Sequence, residues 1–226
     1  MTTIVVTGAN RGIGLEFVRQ YGAEGVNIIA CCRDLAKAEK LKALGGAVRL
    51  MALDVADPHS VAQFAESLGE EAIDILINNA GVYGPERQSA SDPDLAGFVD
   101  TFRINSIGPL LVSHALKPNL ARGRDKKLVV LTSKMGSISD SSGGSLAYRA
   151  SKAAVNMIFN GVAQEWGQDG IAVGILHPGW VQTDMGGPGA QITVEESVRG
   201  LKARIAELSM RNSGRFLDYK GKEIGW

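Results

Sequence analysis

The chain opens with Ile4-Val5-Val6, an apolar β-branched run, and follows it at once with Thr7-Gly8-Ala9-Asn10-Arg11-Gly12-Ile13-Gly14. A helical pattern then sets Ile13, Phe17 and Tyr21 on one face. Strand, glycine-rich turn and helix in this order make a cradle for an anion. The glycines permit the tight turn and let backbone approach a pyrophosphate, while the first N–H groups of the helix face it. The spacing is G-x-x-x-G-x-G, not the commoner G-x-G-x-x-G. An ordinary strand-to-helix turn is the plainer alternative, and three glycines directly after a starting strand weigh against it.

The rest of the chain repeats the alternation. Strand-like runs occur near 3–7, 26–32, 47–53, 73–78, 127–132, 171–177 and 215–218, with helical patterns between most of them. This predicts an α/β fold: a doubly wound, Rossmann-type parallel sheet of about seven strands with helices on both faces. With 226 residues, 45% of them hydrophobic, a single domain over 1–226 is expected. Ser91-Asp92-Pro93-Asp94 reads as a helix start with an early proline. Val155, Ile158, Phe159, Val162 and Trp166 form an apolar stripe on a later helix. Thr193-x-x-Glu196 is a capping box. Residues 136–146 and 185–192 are rich in Gly and Ser or Pro and read as irregular.

Tyr148 and Lys152 lie four apart at the head of that later helix. An i,i+4 pair shares a helix face, so the ammonium can approach the phenol. A cation at roughly 4 Å, with an effective dielectric near 20, favours the phenolate by about 4 kcal/mol. That is on the order of three pKa units, enough to make the phenol an acid-base group near neutrality. Taken alone, the pair is equally consistent with a surface Tyr and Lys on one helix.

Taken together, the motifs carry a resemblance. T-G-x-x-x-G-x-G, Asn78-Asn79-Ala80-Gly81, Ser133-x-x-Gly136, Tyr148-x-x-x-Lys152 and Pro178-Gly179 occur in the order of the classical short-chain dehydrogenase/reductase family. Three stretches, Ala147–Lys152, His177–Gly187 and Gly214–Trp226, are similar to sniffer-type carbonyl reductases and bacterial C-factor proteins. The resemblance implies an oxidoreductase that reduces an aldehyde, ketone or quinone. Tyr148 would be the proton donor, and Ser133 would hold the substrate oxygen. Lys152 would lower the phenol pKa and bind the nicotinamide ribose. Asn105 would be the fourth member of the set. Pro109 gives a physical reason for Asn105: it has no N–H for the carbonyl four residues earlier, which is then available to a water. The same proline could simply kink the helix, with Asn105 capping the break. Two rival functions remain open: an NAD-dependent alcohol dehydrogenase, and a nucleotide-binding signalling protein with slow turnover.

The same resemblance distributes the cofactor contacts. Gly8, Asn10, Arg11, Gly12, Ile13 and Gly14 would form the pyrophosphate turn, and Asp54 and Val55 the adenine edge. Asn79, Ala80 and Gly81 would line the ribose, with Asn78 tying neighbouring strands together. Tyr148, Lys152, Pro178, Gly179, Val181 and Thr183 would surround the nicotinamide. The choice of dinucleotide is read from the residue about 20 positions past the glycine turn, where an acid selects NAD and an Arg accommodates the NADP phosphate. Here Cys32 is neutral, Arg33 follows it, and Arg11 lies inside the turn, so NADP(H) is preferred and NAD(H) remains possible. Asp34 reads as the cap of a helix beginning at Leu35.

The formal net charge is zero, which gives no electrostatic case for nucleic acid. No apolar run approaches the roughly 18 residues of a membrane span, and the first residues do not read as a signal peptide. A cytoplasmic enzyme is expected. Cys31 and Cys32 are adjacent on a strand and point to opposite faces, and His59, His114 and His177 lack ligand spacing, so no metal is expected. The family implies a homodimer, with a tetramer possible, through the helices near 95–117 and 148–167. The apolar stripe from Val155 to Trp166 is wide enough to face both the sheet and a partner, and sheet packing alone could also explain it. Lys134, beside Ser133, reads as a solvated side chain or an attractant for an anionic substrate. Residues 185–192 are expected to form a short, mobile, non-helical substrate lid.

Overall fold

The computed structural model describes residues 1–226. Seven strands form one sheet: β1 (Thr3–Thr7), β2 (Asn27–Cys32), β3 (Val48–Ala52), β4 (Ile75–Asn78), β5 (Lys127–Leu131), β6 (Ala172–His177) and β7 (Phe216–Asp218). Their order is β3-β2-β1-β4-β5-β6-β7, and every neighbouring pair is parallel. A sheet covered on both faces needs strands that are apolar throughout rather than alternating. Ile4, Val5 and Val6, and Ile75, Leu76 and Ile77, meet that need and are all buried. The strand order reverses between β1 and β4, which opens a crevice at their carboxyl ends.

Two apolar layers flank the sheet. One face carries α3 (Pro58–Leu68), α5 (Gly108–Arg122) and α6 (Leu146–Trp166), packed through residues such as Phe64, Leu116 and Phe159. The other carries α1 (Gly12–Gly22), the short α2 (Glu39–Lys42) and α7 (Val194–Glu207), through Phe17, Leu41 and Leu201. Cys31 belongs to the first layer and Cys32 to the second, as strand alternation requires, and both thiols are free. No helix is long and apolar enough to cross a membrane.

Several local expectations need correction. The helix expected from Ser91 begins as α4 at Leu95 (Leu95–Phe102), with Asp94 as its cap accepting from the Gly97 N–H at 3.0 Å. Asp92 precedes a proline and is steered to extended backbone. Pro93 instead pairs with Gln88 in an isolated bridge. Asp34 does cap the turn at Leu35, but that turn is a single 3₁₀ element, Leu35–Lys37. Thr193 caps α7 by accepting from the Glu196 N–H at 3.2 Å. Between α4 and α5 the backbone widens into a π turn, Arg103–Ile107, two residues before Pro109. Such turns relieve the loss of a regular helical bond and recur at functional sites.

Most of the α6 stripe faces the sheet, with Ile158 only partly buried. Val155, Phe159, Val162 and Trp166 are buried in the chain's own core. Large apolar side chains left outside are Leu95 and Val99 on α4 and Met157 on α6. At the far edge of the sheet, residues 222–224 turn back on β7. The Ile224 N–H donates to the Phe216 carbonyl, and the Asp218 N–H to the Lys222 carbonyl, each at 2.9 Å. The following residues reach further, and the Ser139 N–H donates to the Trp226 carbonyl at 2.9 Å.

Candidate active site

The glycine turn lies at the end of β1 in the crevice, and its geometry suits a dinucleotide. At Gly8, φ is +64°, and an added Cβ would lie 2.8 Å from the Ala80 Cα. A Cβ on Gly14 would lie 2.5 Å from the Asn79 Nδ2 and closer still to the Gly8 carbonyl. The absence of side chains thus lets the β1 turn, the start of α1 and the end of β4 close on one another. Arg11 occupies the N-cap position of α1 without a side-chain cap, and no acidic residue stands in the first turn. The orphan N–H groups there and the helix dipole both favour an anion.

The strand tie expected of Asn78 is made by its neighbour Asn79. Asn79 donates its amide to the carbonyls of Thr7 (2.8 Å) and Gly8 (3.0 Å), and its own N–H and that of Ala80 reach the Thr7 hydroxyl. Asn79 is therefore the strand tie. Asn78 instead points to α5, donating to the Ser113 hydroxyl at 2.9 Å. Alternation along β4 sends neighbouring side chains to opposite sides, so only one of the two can reach β1.

The other sequence-marked cofactor positions line the same edge. Asp54 folds the chain after β3 by accepting from the Ala56 N–H at 3.0 Å, and Val55 beside it is buried. Arg33 is exposed at the end of β2, and no ion pair engages it. Arg11 forms a 3.0 Å ion pair with Asp184. A cleft of about 380 Å³ beside the turn is lined by Asn10, Arg11, Ala36, Lys37, Glu39 and Lys40. Thr183 faces Gly12, close enough that a Cβ there would touch its methyl at 3.4 Å. Pro178 and Gly179 follow β6, and Val181 is buried beneath them.

Residues 185–192 contain no helix. Several hydrogen bonds tie them to Trp180 and Gln182. The Trp180 indole donates to the Gly186 carbonyl at 2.8 Å, Gln191 and Ile192 donate to the Trp180 carbonyl, and Gln182 donates to the Ile192 carbonyl. Trp180 also packs on Gly189. No pattern within 185–192 points to that indole, because it stands outside the segment it holds.

On the α6 side, Ser133, Tyr148, Lys152 and Asn105 converge, and all four are buried. Ser133 ends the β5 segment and accepts from the Met135 N–H at 3.1 Å. Gly136 fits against α6, where a Cβ would lie 2.6 Å from the Lys152 carbonyl carbon. The Lys152 Nζ donates to the Leu131 carbonyl at 2.9 Å and lies 5.8 Å from the Tyr148 ring centroid. Asn105 does not cap a helix break. Its amide donates to the Val82 carbonyl and the Ser151 hydroxyl, and its Oδ1 accepts from the Val82 N–H. It joins the segment after β4 to α6. Lys134 is exposed, as a solvated side chain would be, and forms a surface ion pair with Asp140 at 2.8 Å.

The electrostatics differ from the expectation drawn from helix spacing. Burial dominates the Tyr148 phenol and pushes it up to about 12, with the nearby Ser133 hydroxyl working the other way and Tyr83 adding to the rise. Burial likewise pushes the Lys152 ammonium down to about 8. The i,i+4 spacing gave proximity, but the loss of water outweighs the pair attraction for both groups. In the protein alone, the lysine does not bring the phenol to neutrality.

Comparison with known proteins agrees with this architecture. A sequence model of the short chain dehydrogenase family matches residues 2–191. The chain belongs to that family. Among its relatives, C-signal of Myxococcus xanthus is 44% identical over 164 residues, 72% of this chain and 98% of that protein. The NADPH-bound carbonyl reductase from chicken fatty liver superposes with a TM-score of 0.93 at 35% identity, covering 100% of this chain and 99% of the other. The carbonyl reductase Sniffer of Drosophila melanogaster superposes with a TM-score of 0.92 at 26% identity, with both chains fully covered. This short-chain dehydrogenase is thus an NAD(P)-dependent oxidoreductase by family, in the neighbourhood of the sniffer-type carbonyl reductases.

The burial of Lys152 has a measurable cost in this dehydrogenase. Its folded-state pKa, about 8 against 10.5, means that the unfolded chain binds more protons between those values. Stability from this group therefore rises with pH across that window, and the full penalty is present below it. Lys152→Met should stabilise the cofactor-free protein at pH 7 by up to about 3 kcal/mol. The gain should shrink as pH rises from about 8 toward 10.5. Urea denaturation at several pH values measures this, and a pH-independent or negative difference would contradict it.

Proposed function

We propose that the protein is an NADPH-dependent carbonyl reductase acting on aldehydes, ketones or quinones. The observation that carries this reading is the convergence of Tyr148, Ser133 and Lys152 beside the glycine cradle. The phenol is protonated at neutral pH, the form that can give a proton to a developing alkoxide.

Bound NADPH would supply the hydride to the carbonyl carbon. Gly8, Asn10, Gly12, Ile13 and Gly14 would hold its pyrophosphate. Asp54 and Val55 would flank the adenine, and Asn79, Ala80 and Gly81 the ribose beside it. Pro178, Gly179, Val181 and Thr183 would bound the nicotinamide end. Arg33 and Arg11 would hold the 2′-phosphate, with Arg11 leaving Asp184 to do so. Tyr148 gives its proton to the carbonyl oxygen as the hydride arrives, so the product is a neutral alcohol. Ser133 donates a hydrogen bond to that oxygen and fixes its position. Lys152 stabilises the phenolate left behind. Asn105 holds the segment after β4 against α6, and Pro109 leaves its backbone carbonyl without an N–H four residues on.

Leu95, Val99 and Met157 form an apolar face outside α4 and α6, and we propose that it mates with its twin in a homodimer. The likeness to C-signal supports a second reading, in which the nucleotide-bound protein signals and turns over slowly. Loss of NADPH absorbance with a panel of small carbonyl compounds separates the two.

Tyr148→Phe should lower kcat by about 10²-fold or more while leaving NADPH binding nearly intact. Retained turnover in that variant would remove Tyr148 from its role. Arg33→Ala should weaken NADPH by about 1.5–3 kcal/mol and NADH far less, measured by fluorescence titration. Equal weakening would show that Arg33 does not read the phosphate. Light scattering at micromolar concentration should give twice the chain mass, and Met157→Glu should return the monomer.

A further inference from the structure

Helix α6 begins without a cap of its own. Ser145, at its N-cap position, is left-handed (φ +46°) and makes no side-chain cap. Its hydroxyl is taken instead by the Tyr83 hydroxyl, 2.5 Å away. Four N–H groups at a helix start need partners, and buried ones are costly to leave bare. Here they find one from outside the helix. The Leu146 N–H donates to the Gln88 backbone carbonyl at 3.1 Å. The Tyr148 N–H donates to the Gln88 side-chain Oε1 at 2.9 Å.

The same side chain holds the opposite wall. Its Nε2 donates to the carbonyls of Pro85 (2.6 Å) and Tyr83 (3.2 Å), and Gln88 is only 5% exposed. Tyr83 in turn lies against Tyr148, with ring centroids 4.9 Å apart. Tyr83, Gln88 and Ser145 also line a cleft of about 430 Å³ next to this pair. One buried amide thus fixes both partners of the aromatic contact, one through its main-chain N–H and the other through its carbonyl.

We infer that Gln88 is a positioning residue for the reaction: a tertiary cap that sets the place of the Tyr148 phenol by joining the first turn of α6 to the Tyr83 wall. The inference rests on the role proposed for Tyr148. Gln88 touches no reacting atom. It acts on the tyrosine whose hydroxyl must meet the substrate oxygen, and small misplacements of such groups cost rate more than binding. Its amide supplies what no other neutral side chain of this length can: an acceptor for the helix and a donor for the wall at once.

The test uses the full chain labelled with 3-fluorotyrosine, whose four tyrosines give resolvable fluorine signals. Tyr148→Phe and Tyr83→Phe assign the two signals of interest. In Gln88→Ala, the Tyr148 and Tyr83 signals should both move, while those of Tyr21 and Tyr219 stay. With 9,10-phenanthrenequinone as the probe substrate, kcat should fall about ten-fold while the Kd for NADPH changes less than two-fold. Gln88→Glu keeps the acceptor and loses the donor, so Tyr148 should return toward its wild-type signal while Tyr83 remains displaced. This variant also decides the matter if Gln88→Ala does not fold. An unmoved Tyr148 signal in Gln88→Ala, or in Gln88→Glu an unmoved Tyr83 signal, would overturn the inference. So would a kcat within two-fold of wild type. If the wild-type protein reduces no carbonyl compound, the reading of function fails, and the fluorine signals still judge Gln88 separately.

Discussion

The contact between the end of β1 and the end of β4 governs the rest of the molecule. Asn79 donates to the carbonyls of Thr7 and Gly8, and the Thr7 hydroxyl accepts from the N–H groups of Asn79 and Ala80. These four bonds close the crevice where the strand order reverses. They can form because Gly8 and Gly14 leave no Cβ in the gap. Without that approach, the N-terminus of α1 would not face the crevice, and the segment from Gly81 to Gln88 would not reach α6.

The second determinant is the dryness of the α6 side. Tyr148 and Lys152 are both buried, and burial shifts each toward its uncharged form. Buried ionisable groups of this kind are seldom retained for stability alone. The lysine is held by the Leu131 carbonyl rather than by a carboxylate. Asn105 belongs to the same dry cluster, and its three hydrogen bonds tie the segment after β4 to α6.

Much of this was legible in the sequence. The seven strands follow from their apolar runs, and the glycine turn, Ser133, Tyr148 and Lys152 mark the crevice without any structure. What was not legible depends on partners far along the chain. That Asn79 and not Asn78 ties the strands turns on which way a single strand position faces. The sign of the phenol shift turns on burial, which helix spacing does not report. Gln88 is 60 residues from Tyr148, in a stretch without periodicity, and no local pattern distinguishes it from any surface glutamine. The α6 stripe is open for a related reason: its periodicity shows that one face is covered, not by what.

The turn-back of residues 222–224 on β7 has a consequence for how copies of this chain can meet. An open edge strand offers a row of bare N–H and C=O groups, a template that another β-strand can copy. At β7 the chain fills part of that row itself, with Ile224 and Lys222 bonded to Phe216 and Asp218. The sheet therefore does not continue freely from one molecule into the next at this edge. The opposite edge of the sheet is β3, so the two edges differ in what they offer another strand. On the β7 side, the chain's own last residues stand where an added strand would have to pair, which blunts growth of the sheet by simple extension there.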